Sequence, residues 1–377
     1  MTVERVSDFD AFLHLEDPWN RLLERTPTDT VFLRHEWFRC WWEAYGRDRS
    51  LSVLLIREKG ALIGISPLMI SRASFRGFPV RRIGFIENPE TPRSDFIASR
   101  NPEGVIDETI AFVTEQMTPW HILVLNNIPV DSDTRGLLET ICRKRGMPYL
   151  VLPALRSPYL RIETDWDSFY GKTTQRFKKR LRYNKNRLEK VGHISVENVG
   201  RINEHESVLR DLYAIGQRSW KNGIGRSISC NTENRVFFSE LGRMAGEKGW
   251  LSLWLMKADG KPLAFEYHLQ YKGRVHALRS EFDEAYAAHS PGAVLESHIV
   301  RTIFEGGFRE YDMGGSQDEY KKHWTPFIRE QCNVVIFNRG MYPGFLRFLE
   351  GRFIPAARRS RGMIRLKEFM SARKKRR

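Results

Sequence analysis

The amino-acid sequence predicts a mixed α/β fold built from two similar halves. Segments with helical periodicity alternate with β-rich runs throughout the 377 residues. Hydrophobic residues make up 41% of the chain, enough for a core spread over two or three domains, which excludes a wholly disordered protein. A strand, a glycine turn and a second strand occur both at 57–64 and at 257–264. We therefore hypothesise two copies of one domain, with chance recurrence of a common hairpin as the alternative.

The first half is predicted to begin with an aromatic helix. Trp37, Trp41 and Tyr45 recur every four residues, so a helix over 36–45 places them on one face, in the core. Runs rich in β-branched residues then predict strands, and amphipathic stretches predict helices. The expected elements are strands at 51–57, 61–70 and 81–86, a helix at 103–115, a strand at 122–125, a helix at 131–145 and a strand at 149–152.

The second half is predicted to repeat this layout at greater length. Glycine-containing turns at 258–261 and 272–273 predict a three-stranded meander. A later helix opens at Ser290-Pro291-Gly292 and closes at Gly306-Gly307. The expected elements are a strand at 159–162, helices at 166–190, 203–221 and 232–247, strands at 251–257, 263–271 and 274–281, a helix at 290–305, and strands at 310–313 and 333–338.

An excess of cations indicates an anionic partner. Lys and Arg number 61 against 46 Asp and Glu, a formal charge of +15. The four cysteines lie far apart, which argues against a zinc site and a dense disulfide framework and favours a reducing compartment. The sequence shows no basic leader and no run of about 18 apolar residues. We expect a cytoplasmic protein, with peripheral attachment at the inner membrane left open.

Two segments concentrate the positive charge. Residues 172–190 hold nine Lys or Arg and one acid, Glu189, and form either a solvated basic face or a surface that recognises phosphate or another anion. From residue 347 onward, twelve Lys or Arg and two Glu are interspersed with apolar residues. This tail predicts one or two basic amphipathic helices that dock on an anionic membrane surface. A disordered basic tail and a nonspecific nucleic-acid arm are the alternatives.

The helix start at Ser290-Pro291-Gly292 is a candidate phosphate cradle. Unpaired backbone N–H groups and the positive end of the helix dipole meet there, and glycine lets a phosphate approach closely. Ser290, Gly292 and Ala293 are the expected cofactor-binding residues. An ordinary helix start is the alternative, because Ser-Pro-Gly commonly begins helices.

The meander before that helix carries polar side chains on one face. Strand alternation places Glu266 and His268 together, opposite Phe265 and Tyr267. Such a face is covered either by a ligand or by solvent, and the sequence favours neither. Glu281, on the following strand, is a further candidate for chemistry.

A glycine pair after the strand at 310–313 suits close approach of a ligand to the backbone. Asp312, Tyr320 and Lys321 flank this pair and are candidate acid, base and anion-binding groups. The sequence contains no Gly-x-Ser-x-Gly, Walker or His-Glu-x-x-His motif. Serine hydrolase, P-loop and zincin chemistry therefore lack their usual support.

Residues 260–324 resemble the second half of the bacterial acetyltransferase family associated with cellulose and exopolysaccharide biosynthesis. That family contains tandem GNAT folds and is related to the Fem-type peptidoglycan aminoacyltransferases. FLRHEWFRCWWEAYG from Phe32, LIGISPLMI from Leu62 and residues 92–97 resemble its first half. The more specific part is the ordered set Asp283, Tyr286, Pro291-Gly292, Gly306-Gly307, Asp312, Gly315, Tyr320-Lys321 and Trp324.

The resemblance implies two tandem acyl-CoA N-acyltransferase (GNAT-like) domains with mixed central sheets, at 1–155 and 156–342, before the basic tail at 343–377. It implies an acyl thioester donor and no metal, with pantetheine against a splayed sheet and pyrophosphate near Ser290 and Ala293. The loop at 287–292 is poorer in Arg and Gly than the usual GNAT phosphate loop. Acyl carrier protein or charged tRNA are therefore alternatives to acyl-CoA.

Acyl transfer needs a base, an oxyanion stabiliser and a proton for the leaving thiolate. Glu266 or Glu281 is the predicted base, backbone N–H groups at 264–266 are the stabiliser, and Tyr320 is the acid. For Glu281, a salt bridge with Arg279 or Lys272 is the alternative. The predicted substrate-binding residues are His268, Asp312 and Lys321.

The predicted activity is transfer of an acyl group from acyl-CoA or acyl carrier protein to an amine or hydroxyl of a cell-envelope or polysaccharide precursor. The acceptor is then a small molecule or a glycan precursor. Aminoacyl transfer from charged tRNA, as in a Fem-like enzyme, is one alternative. A catalytically inactive anion- or membrane-binding module is the other.

Overall fold

Strands and helices alternate along the chain in a mixed α/β fold, as predicted. The computed structural model describes residues 1–88, 91–117, 119–200, 205–315 and 320–355. The strands are β1 (Thr2–Val6), β2 (Arg49–Glu58), β3 (Ala61–Phe75), β4 (Phe78–Phe85), β5 (Ile97–Ala98), β6 (Ile122–Pro129), β7 (Tyr149–Arg161), β8 (Ile194–Val199), β9 (Leu251–Ala258), β10 (Lys261–Tyr271), β11 (Arg274–Phe282), β12 (Glu310–Asp312) and β13 (Ile328–Phe337).

The helices cover both faces and the ends of these strands. They are α1 (Phe9–Leu13), α2 (Glu16–Leu23), α3 (His35–Tyr45), α4 (Pro102–Gln116), α5 (Thr134–Lys144), α6 (Trp166–Lys172), α7 (Gln175–Leu188), α8 (His205–Arg218), α9 (Trp220–Gly223), α10 (Thr232–Glu247), α11 (Pro291–Glu305) and α12 (Met341–Phe348). A π-helical turn, Leu349–Phe353, continues α12. Across the described ranges, no helix combines the length and the apolar character needed to cross a bilayer.

One mixed sheet runs through both halves in the order β1-β2-β3-β4-β6-β13-β7-β12-β11-β10-β9-β8, with β5 paired to β3. The pairings β4–β6 and β11–β12 are parallel. β7 joins the halves, because residues 149–158 pair with β13 and residues 159–161 pair with β12. The boundary predicted after residue 155 therefore falls within a continuous strand.

Two strands predicted at 149–152 and 159–162 are one strand, so that prediction was wrong. Pro153 lies within the continuous strand, opposite Cys332 and next to a bulge in β13. A bulge tolerates the missing N–H of proline, so the strand continues past it.

The same order of elements occurs in both halves: β2-β3-β4-α4-β6 recurs as β9-β10-β11-α11-β12. The β2–β3 hairpin turns at Lys59-Gly60 and the β9–β10 hairpin turns at Asp259-Gly260. All four residues have left-handed backbone conformations. α4 and α11 each begin with proline after a left-handed residue, Asn101 or Ser290. The hypothesis of two copies of one domain is confirmed at the level of topology.

An aromatic core joins the two halves. The prediction that α3 is a core helix is confirmed, since Trp37 and Trp41 are buried. The ring of Trp37 meets the ring of Phe237 from α10 edge-on at 5.3 Å, and Tyr267 of β10 belongs to the same apolar cluster. The halves therefore share one core, and burial of this aromatic surface stabilises both.

Two predicted helices are interrupted by capping residues. The helix predicted at 166–190 is split into α6 and α7, because Thr174 is extended and accepts the N–H of Phe177 at 3.2 Å. The helix predicted at 203–221 is likewise split, because Ser219 caps α9. Its predicted start at 203, and the tail from 356 onward, lie outside the described residues.

Candidate active site

The second half contains a cavity where two parallel strands separate. β11 and β12 pair only from Arg274–Glu310 to His276–Asp312, and β11 then continues to Phe282 without β12. A cavity of about 340 Å³ lies here, bordered by residues 277–280 of β11 and by 313–315 after β12. Glu266 of β10 and Glu296 of α11 also line it. This is the splayed-sheet arrangement that the resemblance implied.

Glu266 is buried because both faces of β10 are covered. Phe265 and Tyr267 enter the core shared by the halves, while Glu266 and His268 lie on the face toward α11. Glu266 is 4% exposed and His268 is fully buried. The alternative of a solvated polar face is therefore wrong.

Two carboxyl groups meet inside the cavity. Burial raises the pKa of Glu266 to about 7, while a hydrogen bond with Glu296 and the charge of Lys321 act in the opposite direction. Burial and the adjacent charge of Glu266 raise the pKa of Glu296 well above its usual value. Because two like charges cannot both persist in this dry site, the pair holds a proton near neutral pH.

His268 orients the pair without carrying charge. Its Nε2 lies 2.9 Å from Oε2 of Glu266. Burial lowers the pKa of His268 to about 4, so the ring is neutral at pH 7. The neutral tautomer with hydrogen on Nε2 donates to the Glu266 carboxylate. His268 thus holds one oxygen of Glu266 in place.

Lys321 ties the glycine pair to the cavity wall. Its buried Nζ donates to the carbonyl oxygens of Met313, at 3.0 Å, and Gly314, at 2.7 Å. Gly314 has φ +56°, and a Cβ there would overlap the carbonyl oxygen of Ala277. Glycine is therefore required where this loop approaches β11. Tyr320, 38% exposed, stands at the mouth of the same cavity.

The predicted phosphate cradle opens onto a second, shallower depression. Ser290 and Ala293 line this space of about 260 Å³ together with Arg180 and Asn184 of α7, and Tyr320 borders both spaces. Gly292 lies between the two cradle residues but does not line the depression. A Cβ at Gly292 would meet Phe282 at an ordinary 3.6 Å, so glycine is not sterically required there.

The exposed face of α7 carries cations beside this depression. Arg176, Lys179, Arg180 and Arg182 are exposed, and Phe177 and Leu188 anchor the helix on its inner side. A helix start with outward N–H groups and a basic helix next to it fit a phosphate-bearing group.

Glu281 lies outside the cavity lining. Its Oε1 accepts the backbone N–H of Ile228 at 2.7 Å, and burial raises its pKa. The alternative salt bridge with Lys272 is wrong, since Lys272 pairs with Asp29. The charge of Arg279 does act on Glu281, lowering its pKa against the effect of burial. In this structure Glu281 fastens the segment at Ile228 to the sheet.

Asp312 lies in an ionic network between the halves. It pairs with Arg93 of the first half and with Arg329 of β13, the latter at 3.3 Å, and accepts the N–H of Gly314 at 3.0 Å. Arg329 also pairs with Glu310 at 3.0 Å. All of these side chains are largely buried, so loss of one partner would leave an uncompensated charge. Asp312 therefore fixes the glycine loop and joins the halves.

Sequence reasoning missed Glu296. The buried positions of α11 include Leu295, Glu296, Ile299 and Val300, so Glu296 interrupts an otherwise apolar stripe. An acid at such a position was the available signal, because unpaired charges are rarely buried without a role.

The first half lacks this carboxyl pair. The buried positions of α4, which are Val105, Ile106, Thr109, Ile110 and Val113, include no acid, whereas those of α11 include Glu296. The repeated hairpin pattern aligns Gly64 with Ala264, which places Ser66 where β10 has Glu266. The acid pair distinguishes the second half from the first.

Comparisons with known proteins agree with this architecture. Residues 175–322 match the family model described as an acetyltransferase (GNAT) domain. No curated protein matches the chain in sequence. The match is to GNAT domains in general, and the cellulose and exopolysaccharide type stays a prediction. Residues 175–322 are thus a GNAT domain, and the chain is an acyltransferase.

Solved structures share the fold of nearly the whole chain. FemX has a TM-score of 0.58 at 11% identity, with 93% of this chain and 99% of FemX covered. A conserved protein of unknown function from Bacteroides thetaiotaomicron has a TM-score of 0.57 at 13% identity, and the match covers 90% of this chain and 100% of that protein. A tandem GNAT protein from the clavulanic acid biosynthesis pathway has a TM-score of 0.51 at 9% identity, and the match covers 90% of this chain and 100% of that protein. At these identities the likeness establishes the fold.

Proposed function

We propose that this acyltransferase moves an acyl group from an acyl thioester, acyl-CoA or acyl carrier protein, to an amine or hydroxyl of a cell-envelope or polysaccharide precursor. The observation that carries the proposal is the buried pair Glu266 and Glu296 in a cavity between separating strands. A base with a pKa near 7 is suited to removing a proton from an attacking amine or hydroxyl. The donor site belongs to the second half, because the first half has Ser66 in place of Glu266 and no acid among the buried positions of α4.

The donor's phosphates bind at the start of α11 and along α7. The donor itself supplies an activated carbonyl whose C–S bond breaks during transfer. Ser290 and Ala293 line the same depression as Arg180, so the positive end of the α11 dipole and a guanidinium act on one anion. Tyr320 borders both this depression and the cavity, which marks the path of the pantetheine arm between them.

The acyl carbonyl lies along the open edge of β11. The stabiliser predicted at 264–266 is unsuitable, because β10 pairs with β9 on one side and β11 on the other, and these ladders occupy its N–H groups. Beyond His276, β11 no longer pairs with β12, so its edge is available to an oxyanion. Preorganised backbone donors of this kind stabilise negative charge on the carbonyl oxygen.

The proton transfers balance around these groups. As the new C–N or C–O bond forms, the Glu266 carboxylate accepts the proton of the nucleophile, and His268 and Glu296 hold that carboxylate in position. The C–S bond then breaks, and Tyr320 at the cavity mouth donates a proton to the leaving thiolate. Tyr320, which is exposed, then regains a proton from solvent, and Glu266 loses the proton that it accepted to solvent through the open cavity, so both groups return to their starting states.

Release of free thiol from a panel of donors tests the proposal directly. Purified protein is incubated with acyl-CoA esters or acylated carrier protein, and in a parallel assay with aminoacyl-tRNA, for which release of deacylated tRNA is measured in place of thiol. Acceptor candidates identified by mass spectrometry of co-purifying molecules are added to each. Thiol release that depends on the acceptor supports the proposal. Turnover with aminoacyl-tRNA alone would contradict the thioester donor.

Aminoacyl transfer from tRNA is the second candidate. The specific observation in its favour is the run of exposed cations along α7, which extends over more helical turns than one pyrophosphate needs. Competition separates the two donors: protection of the protein against heat by coenzyme A but not by tRNA excludes this second candidate.

A further inference from the structure

The segment after β13 is seated on the first half by one face only. Tyr342 donates its hydroxyl to the carbonyl of Pro79 at 2.7 Å, and Leu346 is buried in the cluster with Val80 and Phe337. Glu350 is buried and forms a two-pronged pair with Arg76. The inner face of α12 and its π-helical turn is thereby fixed to the sheet.

The outer face of the same segment carries large apolar side chains in solvent. Met341 is 94% exposed, Phe348 54% and Phe353 56%, and Phe345 is 44% exposed while its ring meets Phe78 edge-on. Met341, Phe345 and Phe348 follow the spacing i, i+4, i+7, and the wide π-helical turn places Phe353 about one turn beyond Phe348. These side chains form one continuous outer stripe.

Only cations accompany this stripe on the exposed surface of the segment. Arg347 and Arg352 are exposed, whereas Glu350 points inward to Arg76. The sequence that follows, residues 356–377, contains ten Lys or Arg and a single acid, Glu368. Apolar and positive groups are therefore combined in one segment.

We propose that this outer stripe, Met341, Phe345, Phe348 and Phe353, docks the protein on an anionic phospholipid surface. The four side chains enter the boundary between headgroups and acyl chains, and Arg347 and Arg352 contact the headgroups. A nucleic acid would satisfy the cations but leave the aliphatic and phenyl groups in water. This combination favours a lipid surface, and the proposal is independent of the transferase reaction.

Vesicle co-sedimentation of the full chain tests the proposal. We expect binding to vesicles of phosphatidylcholine with phosphatidylglycerol, little binding to phosphatidylcholine alone, and release at high salt. The triple variant Met341→Ser, Phe348→Ser, Phe353→Ser should reduce the partition coefficient at least tenfold, since each buried apolar group contributes to insertion. Phe345 is left unchanged in this variant because its ring also packs on Phe78, so replacing it could disturb the fold.

The matched control is Val236→Ser, which removes an exposed apolar group from α10. It should leave vesicle binding unchanged, and unchanged circular dichroism of the triple variant shows that the fold survives. Equal binding of the triple variant and the unmodified protein would overturn the proposal, as would displacement from the vesicles by equimolar tRNA.

Discussion

Glu266 shows how burial alone gives a common residue an uncommon chemistry. An exposed glutamate loses its proton near pH 4.5, whereas burial raises the pKa of this one to about 7, against the opposing effects of a hydrogen bond with Glu296 and the charge of Lys321. His268 is buried just as deeply and is neutral for the same reason. Three neighbouring titratable groups thus share little net charge.

Replacing Glu266 by Gln removes the proposed base and keeps the size of the side chain. We expect turnover to fall on the order of 10²-fold or more, with donor affinity unchanged, because the donor's phosphates bind elsewhere. Steady-state kinetics and calorimetric titration with the donor measure the two effects. Glu305→Gln, on the exposed side of α11, is the matched control and should retain full activity. Full activity of Glu266→Gln would rule out the proposed base.

The acid pair also predicts how stability depends on pH, without knowledge of the substrate. The folded state binds the Glu266 proton more tightly than the unfolded chain, so its stabilising contribution is complete below about pH 4.5 and is lost as pH rises through about 7. A pKa difference of this size corresponds to on the order of 3 kcal/mol. The Tm of the unmodified protein should therefore decline between pH 5 and pH 8 more steeply than that of Glu266→Gln. Parallel declines in calorimetric scans would show that the pair is not coupled to folding.

At the scale of single elements, α11 combines a structural and a binding role. Its inner stripe packs on β10 and carries Glu296, while its first turn opens toward α7. Pro291 has no N–H, and the N–H groups of Ala293 and Val294 donate to the carbonyl oxygen of Ser290, so the N–H of Gly292 is the one left for a ligand in this first turn. A bound phosphate would accept this N–H.

Gly292→Asp tests this first turn. A Cβ fits at Gly292, and a carboxylate near a helix N-terminus stabilises the helix, so the Tm should be unchanged or slightly higher. Donor affinity should fall at least tenfold, because the same carboxylate repels phosphate. Gly292→Ala controls for the loss of glycine and should bind donor normally. If calorimetry gives Gly292→Asp the same donor affinity as the unmodified protein, the start of α11 is not part of the donor site.

The elements were predictable where local pattern decides, and less so where tertiary structure does. The helix α10 and the meander β9–β11 follow from periodicity and from glycine turns that need left-handed residues. The break at Thr174 depends on a cap that competes with a helical pattern on both sides. Among site residues, Glu266 and Lys321 were found from strand alternation and a glycine pair. Glu296 was missed because it lies in the apolar stripe of a helix.

At the scale of the whole molecule, the two copies are interleaved. In sequence, β13 follows β12, the last strand of the second copy. In the sheet it lies between β6, which belongs to the first copy, and β7. The ionic network of Asp312, Arg93 and Arg329 lies at the same junction. No local pattern encodes this exchange, since it depends on pairing between segments about 200 residues apart (residue 128 with residue 332).

A fragment of residues 1–155 should therefore fail to fold alone. Without β13, the edges of β6 and β7 lose their partner, and apolar residues such as Leu125 and Ile128 become exposed. We expect aggregation, or a molten globule whose circular dichroism signal is retained in the far-UV and lost in the near-UV. A fragment of residues 1–355, which keeps β13, should give the spectrum of the full chain. A cooperative thermal transition for 1–155 would show that the first copy is autonomous.

The position of β13 also constrains events during synthesis on the ribosome. The ribosome synthesises the first copy well before residues 328–337. While the second copy is being synthesised, the sheet of the first copy therefore lacks β13. The second copy can complete β8 to β12 first, and the return of β13 then closes the first. Vectorial synthesis would thus finish the first copy last, after every strand that borders the proposed active site has emerged.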